Sequence, residues 1–122
     1  MNSINIGSLD IVVTETPQSL RVVWKGEADE RDPRKLLLPF LDEVTDRATA
    51  AGKKITLDFG ELVFMNSACI GLAIAFLKAL NEREVKVDVL YDTRHDWQTL
   101  SMKCTRTIFA RTDNVKISDQ AG

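Results

Sequence analysis

The chain has 122 residues, 44% of them hydrophobic and 28% charged, with a formal net charge of −2. That is the length of one ordinary domain, with enough apolar content to bury a core. Both signs of charge are dispersed, which argues against the basic footprint of a nucleic-acid binder and against a lysine or arginine cluster for a membrane surface.

Met1 to Leu9 has neither a basic region nor an apolar run, so no signal peptide is expected there. The longest apolar run, Ala68 to Leu77, falls well short of the roughly 20 residues that cross a membrane. Cys69 and Cys104 form no motif and read as reduced core thiols of a cytoplasmic protein. No repeat, linker or low-complexity stretch divides the chain, which reads as one domain over 1–122. Its core is expected over about 10–117, and the small polar residues Ser118 to Gly122 are expected to fray.

Asp10 to Glu15 ("DIVVTE") and Leu20 to Lys25 ("LRVVWK") predict two strands joined by the turn "TPQS", an antiparallel hairpin that Gly26 ends. Asp32-Pro33 predicts a helix start, with a side-chain cap followed by proline at the first helical position. The helix should run to about Ala51, where Gly52 closes it. Leu36, Leu37, Phe40, Leu41 and Val44 share one face, and Pro39 must kink the helix or begin its main segment.

Ile55 to Phe59 and Val85 to Tyr91 alternate as strands, and a helix over about 67–81 lies between them. Strand, helix, strand at this spacing predicts a parallel βαβ unit. A third helix over about 96–109 and a short strand, Val115 to Ile117, complete an α/β sandwich: a mixed sheet with helices packed on it.

The helix opened by "FMNSACIGLAIAFLK" divides into two sides at 100° per residue. Cys69, Ile70, Leu72, Ala73, Ile74, Phe76, Leu77 and Leu80 form a large-residue side. Ser67, Ala68, Gly71, Ala75, Lys78 and Ala79 form a side of small residues with Ser67 at its top. Such a flat strip suits the close approach of a partner, and it equally suits tight packing on a neighbouring element. Asn66 is a good N-cap, and Ser67 then occupies the first helical position, where free amides and the positive dipole end favour an anion. A phosphate on Ser67 would find that site; a helix cap and nothing more is the plainer alternative.

Parts for catalysis are missing. His95 is the single histidine and lies far along the chain from Ser67. There is no GxSxG elbow, no phosphate loop and no dinucleotide fingerprint. No catalytic, metal-binding or cofactor-binding residue follows. Glu27, Asp29, Glu30 and Asp32 read as a solvated loop, and Arg94, Lys103, Arg106 and Arg111 as a solvated face. Trp24 and Trp97 read as core or boundary aromatics.

The succession of elements, with "GEAD" after the second strand and "ITLDFGELVFMNSACIG" running into a helix, resembles a STAS domain. It is most similar to the small anti-sigma factor antagonists of bacterial partner-switching systems, whose motif is F-M-D-S-S-G-L-G at the head of a helix. Asp58, Val63, Phe64, Met65, Ser67 and Gly71 match the pattern. The resemblance implies that Ser67 is the phosphorylated serine and that Asp29, in the G-E-x-D pattern with Gly26 and Glu27, is the acid near it. It implies a non-enzymatic regulator. A serine kinase that is itself an anti-sigma factor, with a histidine-kinase-like ATPase fold, would phosphorylate Ser67, and a PP2C-type phosphatase would reverse this. Asn66, Ala68, Gly71, Ala75, Lys78, Glu27 and Asp29 are the expected surroundings of the docking surface. The chain departs from the family at Asn66 for aspartate, Ala68 for the second serine and Cys69 for a glycine. Two related readings stay open: a regulator whose target is a signalling enzyme such as a diguanylate cyclase or phosphatase, and a STAS interaction module that is never phosphorylated. Oligomeric state is not legible.

Overall fold

The computed structural model describes residues 3–119. Nine elements follow in chain order: β1 (Ser3–Ile6), β2 (Leu9–Glu15), β3 (Ser19–Ala28), α1 (Pro33–Ala51), β4 (Lys54–Met65), α2 (Ser67–Glu82), β5 (Val87–Tyr91), α3 (Asp96–Ile108) and β6 (Val115–Asp119). The strands form one sheet in the order β1-β2-β3-β4-β5-β6. The first two pairings are antiparallel and the next three are parallel.

Each parallel step is made by one helix and moves one strand further in the same direction. Right-handed crossovers then put α1, α2 and α3 on the same face of the sheet. The strands answer with alternation. Ile11, Val13, Leu20, Val22, Trp24, Ile55, Leu57, Phe59, Val87 and Val89 are buried under the helices. The other face carries cross-strand ion pairs: Arg21 with Asp58, Lys25 with Glu61 at 3.9 Å and Lys54 with Asp88 at 2.6 Å.

The hairpin, the βαβ unit and the mixed sheet match the sequence reading, with several corrections. β1 is an additional strand, paired to β2 through Ile4↔Ile11 and its neighbours. β3 does not end at Gly26 but runs to Ala28 through a register shift between Gly26 and Glu27. β4 continues six residues past Phe59, because the Asp58 carboxylate accepts the Gly60 amide at 2.8 Å and carries the chain round an irregularity. β6 takes Ser118 and Asp119 into the sheet; Gln120 to Gly122 lie outside the described residues. Asp32 precedes α1 but makes no side-chain cap bond, since its backbone, at φ −126° and ψ 71°, lacks the extended cap conformation. α1 is continuous through Pro39. Pro39 and Lys35 are both exposed, so the carbonyl that loses its helical partner lies on the solvent side. Cys69 is buried as expected, whereas Cys104 is exposed on α3.

The basic residues around α3 are partly structural. Arg106 donates to the Tyr91 hydroxyl at 3.2 Å and the Ile117 carbonyl at 2.9 Å, with its guanidinium over the Tyr91 ring. Arg94 grips the buried Asp92 carboxylate. That hydrogen bonding holds the Asp92 pKa down at about 2. A depressed folded-state pKa gives stability that is present above the ordinary aspartate range and is lost as pH falls through the folded value. The stability gap between the wild type and Asp92→Asn should therefore narrow as pH drops from about 4 towards 2. Denaturant midpoints at a series of pH values check this.

Candidate functional site

The site is built where β3 and β4 run side by side into loops. Glu27 pairs with Phe64 and Ala28 with Met65, and the Asn66 amide donates to the Ala28 carbonyl at 2.9 Å. Glu27 thereby lies opposite Phe64, and the loop that begins at Asp29 reaches the head of α2. The two segments, 37 or more residues apart in sequence, are brought to the same end of the sheet by the parallel pairing.

Asn66 caps α2: its Oδ1 accepts the Cys69 amide at 2.8 Å. Its Nδ2 donates in the other direction, to the Glu30 carbonyl at 3.0 Å. The Cys69 thiol reaches the same carbonyl at 3.8 Å. Burial pushes the Cys69 thiol pKa up, so the group stays a neutral donor. Asn66 and Cys69, two departures from the family motif, thus fasten the β3–α1 loop to the start of α2. An aspartate at 66 could cap but could not donate to Glu30.

Asn66→Ala removes both bonds and should cost about 2 kcal/mol, about one for the cap and one for the tie to Glu30. Asn66→Asp should cost about half as much, because the cap survives and a carboxylate suits the helix start. Thermal melts of the two variants distinguish these costs.

On α2, Ser67, Ala68, Gly71, Lys78 and Ala79 are exposed and Ala75 is half-buried. Cys69, Leu72, Ala73, Phe76, Leu77 and Leu80 are buried, and Ile70 and Ile74 lie between. The small-residue side is therefore a solvent face and not a packing seam. Lys78 shares this face but sits about 16 Å down the helix from Ser67, so it borders the far end.

Three features near Ser67 escape the sequence reading. A cleft of about 340 Å³ lies beside Ser67, lined by Arg31, Asp32, Pro33, Arg34, Ala68, Gly71 and Leu72. Val63 and Phe64 are exposed just before the site, at 57% and 45%, large apolar groups where a buried strand end would be expected. Third, α3 fastens the preceding backbone. Fully buried Gln98 donates to the carbonyls of Phe59 and Leu62, Trp97 donates to Leu62, and a His95 ring nitrogen bonds the Gly60 carbonyl. Among the described residues no group of three or more histidine, cysteine or acidic side chains is arranged to hold a metal ion.

No protein-family model matches the chain, and no curated protein matches it in sequence. A solved structure matches it in fold: that of the anti-sigma factor antagonist SpoIIAA in its unphosphorylated form. The match covers 91% of this chain and 90% of that one, with a TM-score of 0.55 and 13% sequence identity. The chain has the STAS fold. At that identity the likeness speaks for architecture: a six-stranded mixed sheet with three helices, resembling an anti-sigma factor antagonist over nearly its whole length. Within the STAS fold, Ser67 heads the helix after β4, and the loop after β3 lies against it. No helix among the described residues is long and apolar enough to cross a membrane.

Proposed function

We propose that this chain is a non-enzymatic signalling regulator of the anti-sigma factor antagonist type, which changes partners according to the phosphorylation of Ser67. The observation that carries the reading is the exposed hydroxyl at the first position of α2, at the top of a solvent-facing strip of small residues. A helix face without large side chains lets a partner's backbone come close. At such a contact a phosphate, with close to two negative charges, has no room and no water. Desolvation and repulsion from partner acids then break the complex. Glu27 and Asp29, both exposed where β3 ends, add to the negative edge of the docking surface.

The free protein accommodates the same phosphate. The first-turn amides of α2 lack helical partners, and the helix dipole favours an anion there. The modification thus switches docking without unfolding the domain. The partners of this reading are a cytoplasmic serine kinase that doubles as an anti-sigma factor, with a histidine-kinase-like ATPase fold, and a PP2C-type phosphatase. Val63 and Phe64 supply an apolar anchor at the edge of the docking surface.

Partner capture from the native host with Ser67→Ala and Ser67→Glu side by side tests the reading. Ser67→Ala should retain the kinase, and Ser67→Glu should weaken it at least about tenfold, as like charge at a close contact requires. Equal retention by both variants contradicts the mechanism. Capture of a diguanylate cyclase or phosphatase instead of an anti-sigma factor would keep the switch and change its target.

A further inference from the structure

Arg31 and Arg34 have no role in holding the fold. Neither has an ion pair or hydrogen-bond partner among the described residues, and both are exposed at the cleft beside Ser67. α1 begins at this cleft with Pro33, has no acid in its first turn and carries Arg34 and Lys35 there. Cations at a helix N-terminus oppose the helix dipole. α2 begins at the same cleft with Ser67, again with no acid in its first turn. Two helix starts and two arginines therefore line the same cleft as Ser67. The nearby acids, Asp32 in the cleft wall with Asp29 and Glu30 on the same loop, make no ion pair with the two arginines.

We infer that Arg31 and Arg34 are the intramolecular receptor for a phosphate on Ser67. This inference rests on the phosphorylation reading above and deepens it. The phosphoserine oxygens accept from the two guanidinium groups, whose side chains close across the cleft. The loop is already fixed at Glu30 by Asn66 and Cys69, so only side chains need to move. Closure covers Ala68 and Gly71, which line the same cleft, and so removes the upper part of the small-residue strip from a partner's reach. The phosphorylated state is then closed on itself as well as repelled. With asparagine at 66 in place of aspartate, the residue immediately before Ser67 adds no further carboxylate to compete for the arginines.

The test needs no kinase. Phosphoserine is installed at position 67 during translation, and the phosphate is titrated by phosphorus NMR in the wild-type background and in Arg31→Gln/Arg34→Gln. Two facing cations should lower the second phosphate pKa by about half a unit or more relative to the double variant, after allowance for solvent screening. Each single variant should recover part of that difference. The helix amides are common to all four proteins, so the difference reports the arginines alone. Superimposable titrations of the wild-type background and the double variant, with equal thermal midpoints of the unmodified proteins, overturn the receptor. Failure of the parent reading looks different: Ser67 is never phosphorylated in cells, while the titration gives its own answer.

Discussion

Gly26→Ala should destabilise the domain by about 3 kcal/mol, far more than alanine at most loop glycines. Gly26 has φ +88°, a region that costs a residue with a Cβ about 1–2 kcal/mol. A Cβ built there lies 2.2 Å from the Ser8 carbonyl oxygen, and that oxygen accepts the Glu27 amide at 3.0 Å. The neighbour is backbone held in a turn, so relief requires moving the chain, at a further cost of about 1–3 kcal/mol. Gly7→Ala is the internal control. Gly7 also has positive φ, at +59°, but a Cβ there meets nothing within 4 Å. It should lose only the conformational part, about 1 kcal/mol. Urea midpoints of the two variants separate strain from clash. Equal losses would mean that the close approach of β3 to Ser8 has no energetic consequence. Because Gly26 sits at the register shift that turns Glu27 and Asp29 towards α2, its substitution should also disturb the site.

Gln98→Leu should cost a similar amount by a different route. Leucine fills nearly the same volume but makes none of the bonds. The Gln98 side chain accepts the Asp92 amide at 2.8 Å and donates to the carbonyls of Phe59 and Leu62 at 2.6 and 2.8 Å. Leu62 keeps its bond from Trp97. The other two backbone groups are left buried without partners, at about 1–3 kcal/mol each, giving a loss of about 3 kcal/mol. Hydrogen exchange should accelerate over 60–66, the stretch that Gln98 tethers and that leads into Ser67. A loss under about 1 kcal/mol would show that water or a local shift replaces the bonds.

Much of the fold is legible because one physical rule dominates each element. Alternation alone gives β2, the start of β3 and β5, whose core faces lie under the helices. The division of α2 into two sides is equally legible, since Leu72, Phe76, Leu77 and Leu80 can only face a core while Ala68, Gly71 and Ala79 need not. β1 is hidden because four half-exposed residues, "SINI", are a strand only by virtue of their partner β2. The second half of β4 is hidden because alternation breaks at Gly60 and Glu61, and because Val63 and Phe64 are apolar yet exposed. Asp32 looks like a cap until Glu30, tied to Asn66 across 36 residues of sequence, sets the course of the loop.

The site follows the same division. Asn66 as cap and Ser67 at the first helical position can be read locally, because both depend on neighbours three or four residues away. The nearness of the Glu27–Asp29 segment to the start of α2 is suggested by family resemblance; the β3–β4 register sets Glu27 opposite Phe64 and Ala28 opposite Met65. Arg31 and Arg34 could not be placed against Ser67 from sequence. They come from the β3–α1 loop and the start of α1, which the Asn66 and Cys69 bonds to Glu30 fasten beside α2. The charged stretch "ERDPRK" shows only mixed signs.

The central claim is that Ser67 carries a reversible phosphate in the cell. The most direct measurement is the intact mass of the protein isolated from its native host, with and without phosphatase treatment, alongside Ser67→Ala. The account predicts a phosphate-sized increase in part of the wild-type population, removed by the phosphatase and absent from Ser67→Ala. Unmodified wild-type protein under every growth condition, with Ser67 untouched by the cognate kinase, would contradict it and leave a STAS interaction module fixed in one state.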